Sequence, residues 1–128
     1  MEIEAPIYVD KVWGSEVWMA NTDLYCGKLL HLKKGKRCSI HYHKNKDETF
    51  YLYSGRILME LWKDNKFEER IMGKGEALRI NPNTKHRFSG LEDSLIIEIS
   101  THHEEEDSYR DSGQLSGDIP KEVMERYS

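Results

Sequence analysis

Two cysteines and three prolines are all that the 128 residues contain, and that scarcity sets the first limits. Two thiols, Cys26 and Cys38, are too few for a disulfide framework; they fit reduced thiols, or at most a single bridge. No apolar run reaches the length of a membrane-spanning helix, and the opening MEIEAPIYVD is acidic where a secretory leader would be basic and then apolar. A cytoplasmic protein without a membrane partner is therefore expected. Lys and Arg are scattered through a chain of net charge -4, so nothing points to nucleic acid. A small molecule is the expected partner. At 15.1 kDa a single domain over 1–128 is expected, large enough for its own core yet small enough for oligomerisation to bury more.

Sustained helical periodicity is also missing before the C-terminus. Short β-rich runs separated by turns take its place. Strands are expected near Ile7 to Val9, Glu16 to Ala20, Gly27 to Leu32, Arg37 to His43, Thr49 to Tyr53, Arg56 to Lys63, Phe67 to Met72, Ala77 to Ile80, His86 to Phe88 and Ser94 to Ser100. Asp64-Asn65 is a two-residue hairpin signal, and Ser54-Gly55 marks another tight turn. This order predicts an all-β antiparallel barrel with its core over about 7–101. From about 102 to 128 a polar, Ser/Gly-rich arm follows, either lying over the barrel mouth or docking a second subunit, with a short helix after Pro120.

One run of residues carries chemistry. Gly35, His41, His43, Glu48 and Gly55 stand in the order Gly-x5-His-x-His-x4-Glu-x6-Gly. Residues two apart in a strand share a face, so His41 and His43 aim at one point while Ile40, Tyr42 and, by the same parity, Cys38 face away. An antiparallel return would bring Glu48 beside them. His86, after the turn cluster Asn81-Pro82-Asn83, supplies a fourth candidate. Three imidazoles and a carboxylate predict one open metal site, suited to Mn, Fe, Co, Ni or Zn. His31, His102 and His103 fall outside this pattern and are expected on the solvated surface.

The two segments resemble the paired motifs of the cupin superfamily, small metal-holding double-stranded β-helix or jelly-roll barrels. The first motif matches at every defining position. In the second, Asn81 stands where that family often has proline and Asn83 where it usually has glycine; Asn tolerates positive φ and would keep the turn. The resemblance implies a jelly-roll fold and the ligand set His41, His43, Glu48 and His86.

A narrower likeness runs from Trp13 to Arg110. Trp13-Gly14-Ser15-Glu16, Tyr25 with Lys28, Ser39, Ile97-Glu98-Ile99-Ser100 and Asp107-Ser108-Tyr109-Arg110 look like cupin-type sugar and sugar-phosphate isomerases, of the type II mannose-6-phosphate isomerase or D-lyxose isomerase kind. The chain departs from the former in having His41 in place of Gln, Lys46 in place of Arg and no Tyr-Gly-Arg after Arg110. What this implies is aldose-ketose isomerisation of a sugar or sugar phosphate, in which a metal polarises the carbonyl while a carboxylate moves a proton between two carbons.

Glu48 is engaged as a ligand, so the proton carrier must be another carboxylate. Glu98, inside the apolar strand Leu95 to Ile99, is the first candidate and Glu60 the second. Strand parity leaves open whether Glu98 faces the barrel interior or pairs with a cation outside. Lys28 is expected either to hold a substrate group or to snorkel at the surface. Ser39 shares the face of His41 and His43 and should line the pocket, while Lys46 and Arg110 either close over the opening or stay solvated. Trp13, Trp18 and Trp62 are read as core aromatics or sugar-stacking platforms. Two other readings stand beside the isomerase: an iron-dependent dioxygenase, and a non-catalytic module binding a carbohydrate or nucleotide sugar. An edge strand at Ile7 to Val9 predicts a homodimer.

Overall fold

A computed structural model describes residues 1–111 and 113–128; Ser112, in the expected arm, lies outside the described residues. The chain forms β1 (Ile7–Lys11), β2 (Gly14–Asn21), β3 (Cys26–Leu32), β4 (Lys36–Arg37), β5 (His41–Tyr42), β6 (Glu48–Ser54), β7 (Arg56–Lys63), β8 (Lys66–Gly73), β9 (Ala77–Ile80), β10 (Lys85–Gly90) and β11 (Ser94–Ser100). A 3-10 turn (Glu105–Asp107), β12 (Tyr109–Arg110), β13 (Gly117–Asp118) and helix α1 (Lys121–Arg126) follow. The strands make two antiparallel sheets, one ordered β1-β2-β3-β11-β6-β9 and the other β12-β5-β10-β4-β13, with β7 joining β10 to β8. Sheet faces packed over a shared core give the expected jelly-roll.

Period-two alternation decides which residues enter the core. In β3, β6 and β11 every second side chain is buried, which turns Lys28, Leu30 and Leu32, then Glu48, Phe50 and Leu52, then Ile96 and Glu98 inward. Register sets Trp18, Lys28, Glu98, Phe50 and Leu78 in one row across five strands. Trp13, Phe50 and Phe88 pack edge to face at 5.0 and 5.9 Å in the centre. The apolar half of the barrel is thus filled, and the polar inward residues collect toward the other end.

Turn chemistry follows the sequence. Asp64 and Asn65 both have positive φ, 52° and 63°, as a two-residue hairpin loop demands. Asn83, at φ 65°, holds the turn where glycine was the expected residue. At Gly55, φ 94°, a Cβ would run into the side chain of Ser94 and the carbonyl of Asp93.

Two expectations require correction. The single strand expected over Arg37 to His43 is broken: β4 ends at Arg37 and β5 begins at His41. Between them the chain changes partners, Cys38 N–H donating to the Phe88 carbonyl and Ile40 N–H to the Gln114 carbonyl. Parity fails across this break, so Cys38 does not face away from the histidines but sits in the barrel core. The second correction concerns the arm, which contributes strands: β12 pairs with β5 and β13 with β4. The helix after Pro120 is where it was expected.

Candidate functional site

His41 and His86 lie directly opposite each other across β5 and β10, while Glu48 enters from β6 of the other sheet. The candidate ligand nitrogens of His41, His43 and His86 all fall within 4.8 Å of one another, a cluster able to hold a metal ion. Each ring is oriented by its other nitrogen. Nδ1 of His41 is 2.9 Å from the Ser39 carbonyl, that of His43 2.9 Å from the Asp107 carbonyl and that of His86 2.8 Å from the Thr84 carbonyl. A carbonyl only accepts, so Nδ1 carries the proton and donates in all three, leaving each Nε2 lone pair for a ligand.

The carboxylate of Glu48 supports the same conclusion. Its Oε1 is 3.0 Å from Nε2 of His86, yet both atoms are buried without a hydrogen-bond partner among the described residues. Two acceptors so close repel unless a cation lies between them or the imidazole takes a second proton. Burial holds the pKa of His41 well below the usual histidine value, and burial with Lys46 lowers that of His43. Both are therefore neutral, as metal ligation requires. For Glu48 burial alone would raise the pKa, but the positive charge of Lys46, 3.2 Å away, offsets it and holds the carboxyl below the usual range. The donor set thus fits a divalent ion.

A cavity of about 280 Å³ opens from this cluster, lined by the apolar Trp13, Leu30, Phe50 and Phe88 and by the polar Glu16, Ser39, Glu98 and His103. Asp10, Lys11, Glu105 and Arg110 also line it. Glu98 shares the inward parity of Ile96 and is 4% exposed, which answers the question that periodicity left open. Its Oε2 accepts from Ser100 Oγ at 3.2 Å and from Lys46 Nζ at 2.9 Å.

Lys46 is neither solvated nor among the residues lining the cavity. It is 4% exposed and bridges Glu98 to Glu48 at 3.2 Å. Desolvation would lower its pKa, but the two carboxylates raise it above the ordinary lysine value. Lys28 does not snorkel either: it is 2% exposed, lies 3.5 Å from Glu16 and stacks 4.4 Å over the Trp18 ring. Ser39 lines the cavity as expected, and Arg110 reaches it from β12 as an exposed side chain. Glu60 is on the opposite face of its sheet, since Ile57, Met59 and Leu61 are the β7 residues packed with the core, and so it is not brought to the site.

Three contributors had been given no role at the site. His103 was expected at the surface, but its side chain is 9% exposed, with Nδ1 3.1 Å from Lys46 Nζ and Nε2 3.2 Å from Glu105. An ammonium cannot accept, so Nδ1 holds the lone pair. Glu16 enters the cavity held by the Trp18 indole N–H at 2.8 Å. Asp107 accepts the backbone N–H groups of Lys44, Asn45 and Lys46 at 2.9 to 3.2 Å, fixing the loop that joins the histidines to Glu48. Glu16 and Asp107 stand in the Trp13-Gly14-Ser15-Glu16 and Asp107-Ser108-Tyr109-Arg110 runs, which gave neither a role of its own; nothing local marked His103.

Comparison with known proteins agrees with this geometry. A D-lyxose/D-mannose isomerase of Thermosediminibacter oceani is 29% identical over 110 residues, covering 67% of this chain and 61% of that enzyme. The chain thus spans about three fifths of that curated relative. Among solved structures, KdgF from Halomonas sp. superposes with a TM-score of 0.69 over 82% of this chain and 98% of its own, at 21% identity. Oxalate decarboxylase from Bacillus subtilis reaches 0.75 over 95% of this chain and 34% of its own, at 15% identity. The capsular polysaccharide assembling protein CapF from Staphylococcus aureus reaches 0.70, with 84% and 33% covered, at 21% identity. At such identities the likeness is one of fold. The family described as cupin domain matches residues 28–101, the stretch holding all four candidate ligands, and this chain belongs to it.

Proposed function

We propose that this cupin is a metal-dependent isomerase that interconverts an aldose and a ketose, as free sugars or sugar phosphates. The observation that carries this reading is Glu98: a buried carboxylate that lines the same cavity as His41 and His43 and is itself outside the histidine cluster. The isomerase relative supports the carbohydrate substrate.

In this reading His41, His43, Glu48 and His86 hold one divalent ion of the Mn, Fe, Co, Ni or Zn group. When bound, the ion supplies Lewis acidity toward a substrate carbonyl. Glu98 takes a proton from one carbon and returns it to its neighbour. Lys46 offsets the burial of both Glu98 and Glu48 and fixes the direction from which Glu98 approaches. Ser39 offers a hydroxyl to the polyol, Arg110 meets the substrate at the opening, and Lys28 sets the orientation of Glu16.

Glu98→Gln tests the role. The variant should retain the metal by elemental analysis yet lose exchange of the substrate C2 proton with solvent by about 100-fold or more. Unchanged exchange with the metal retained would remove Glu98 from the mechanism. If no aldose, ketose or phosphate on a panel shows metal-dependent exchange while one raises the melting temperature, the chain is a carbohydrate-binding module instead. Oxygen consumption during turnover would favour the dioxygenase.

A further inference from the structure

A groove of about 750 Å³ lies on the outer face of the second sheet, away from the histidine cluster. Glu60 and Trp62 of β7, Phe67 of β8 and Arg87 of β10 line it, with Gln114 of the arm. Trp62 and Phe67 sit opposite each other in the hairpin register, their rings 4.9 Å apart and tilted by 35°. Phe67 is 48% exposed, and the pair forms an aromatic platform that the barrel interior does not cover.

The charges beside this platform are unusual. Arg87 is 3% exposed, yet among the described residues its guanidinium donates only to the carbonyls of Cys38 at 2.9 Å and Leu115 at 3.3 Å. Among the described residues no carboxylate lies within 4.0 Å of it, and no cation lies within 4.0 Å of Glu60. Burial pushes the Glu60 carboxyl up, outweighing the pull of Arg87 and Arg37. A buried guanidinium and a half-buried carboxylate that attract without touching are costly to hold apart. They also present the remaining guanidinium N–H groups and a pair of acceptors to whatever enters between them.

We propose that this groove is a second, metal-independent carbohydrate site, seating a pyranose of a saccharide chain on Trp62 and Phe67 with Glu60 and Arg87 hydrogen-bonded to its vicinal hydroxyls. The C–H face of a pyranose is apolar and matches an aromatic ring, while its rim of hydroxyls both donates and accepts. A carboxylate alone would serve a cation and a guanidinium alone an anion. The two side by side match neighbouring hydroxyls. The groove is also larger than the metal-side cavity, which suits several linked rings. The inference is independent of the isomerase reading.

The experiment is calorimetric titration of the full chain, stripped of metal with EDTA, with glucose, mannose and galacturonic acid tetrasaccharides. At least one should bind, with affinity reduced about tenfold or more in both Trp62→Ala and Glu60→Gln. His86→Ala should bind as the parent does. Trp62→Phe, which retains a ring, should recover most of the affinity and controls for loss of fold. Absence of binding by all three tetrasaccharides overturns the proposal. So does binding that survives Trp62→Ala and Glu60→Gln but is lost in His86→Ala, which would place the saccharide in the barrel.

Discussion

Nε2 of His86 and Oε1 of Glu48 lie 3.0 Å apart in the buried interior, each without a hydrogen-bond partner among the described residues. Because Nδ1 of His86 faces a carbonyl, its proton is on that side. The contact is then between two lone pairs, a repulsion that a bound cation would convert into attraction. Divalent metal at 100 times its dissociation constant should stabilise the protein by about 2.7 kcal/mol, read as a rise in melting temperature. His86→Ala and Glu48→Ala should abolish that rise. A wild type that stays metal-free after supplementation with Mn, Fe, Co, Ni and Zn would end this reading.

The metal-free protein should lose stability on mild acidification. His41, His43 and His103 all have pKa values lowered in the folded state, His103 by burial and the nearby Lys46. Below about pH 6.5 the unfolded chain takes up protons that these folded histidines refuse, so stability falls as pH falls toward the folded values. The slope should approach about 1.4 kcal/mol per pH unit for each histidine still neutral. Glu48, whose folded pKa is depressed, contributes stability above its unfolded value and loses it at lower pH, in the same direction. Urea midpoints between pH 5 and 7.5 measure this; a flat profile would contradict the assignment of neutral rings.

Lys46→Met should be more harmful than loss of a surface lysine. It leaves Glu48 and Glu98 buried with no ammonium between them, a change of about 3 to 5 kcal/mol when a buried partner is removed. Bound metal should recover part of that loss, because it compensates Glu48. Chemical denaturation with and without metal separates the two contributions.

Asp107→Ala should cost about 2 to 4 kcal/mol, since three loop N–H groups lose a buried charged acceptor together. Asn, which keeps one acceptor oxygen, should fall between. Equal stabilities of Ala and wild type by urea titration would show that the loop is held by other means.

Strand β1 forms one edge of its sheet and leaves Ile7 and Tyr8 exposed at 58% and 64%. An unpaired edge with apolar side chains favours pairing with a second copy. A dimer mass is expected in sedimentation at micromolar concentration, and a monomer mass would reject it.

Much of this arrangement was legible because short-range rules and tertiary structure agree. The spacing of His41, His43 and Glu48 needs only strand parity and one turn, and the hairpin at Asp64-Asn65 only local φ preferences. Glu98 was identifiable as a candidate, yet its face was not: parity ties it to Ile96 but does not say which side the opposing sheet covers. Cys38 was misplaced because parity presumes a continuous strand, and the partner switch at residues 38–40 depends on Gln114, far along the chain. His103 was misread for a similar reason. Its burial comes from Trp18, Lys46 and Asn21, none of them its sequence neighbours. The two arm strands are two residues each, too short to leave a periodic signature.

The stapling of residues 44–46 by Asp107 gives the centre an order in time. All four candidate ligands leave the ribosome before the residue that locks their connecting loop and, through its carbonyl, orients His43. A nascent chain halted before residue 107 would carry every ligand and still lack the geometry to hold an ion tightly. Tight metal capture should therefore await the segment that follows β11, although every ligand precedes it.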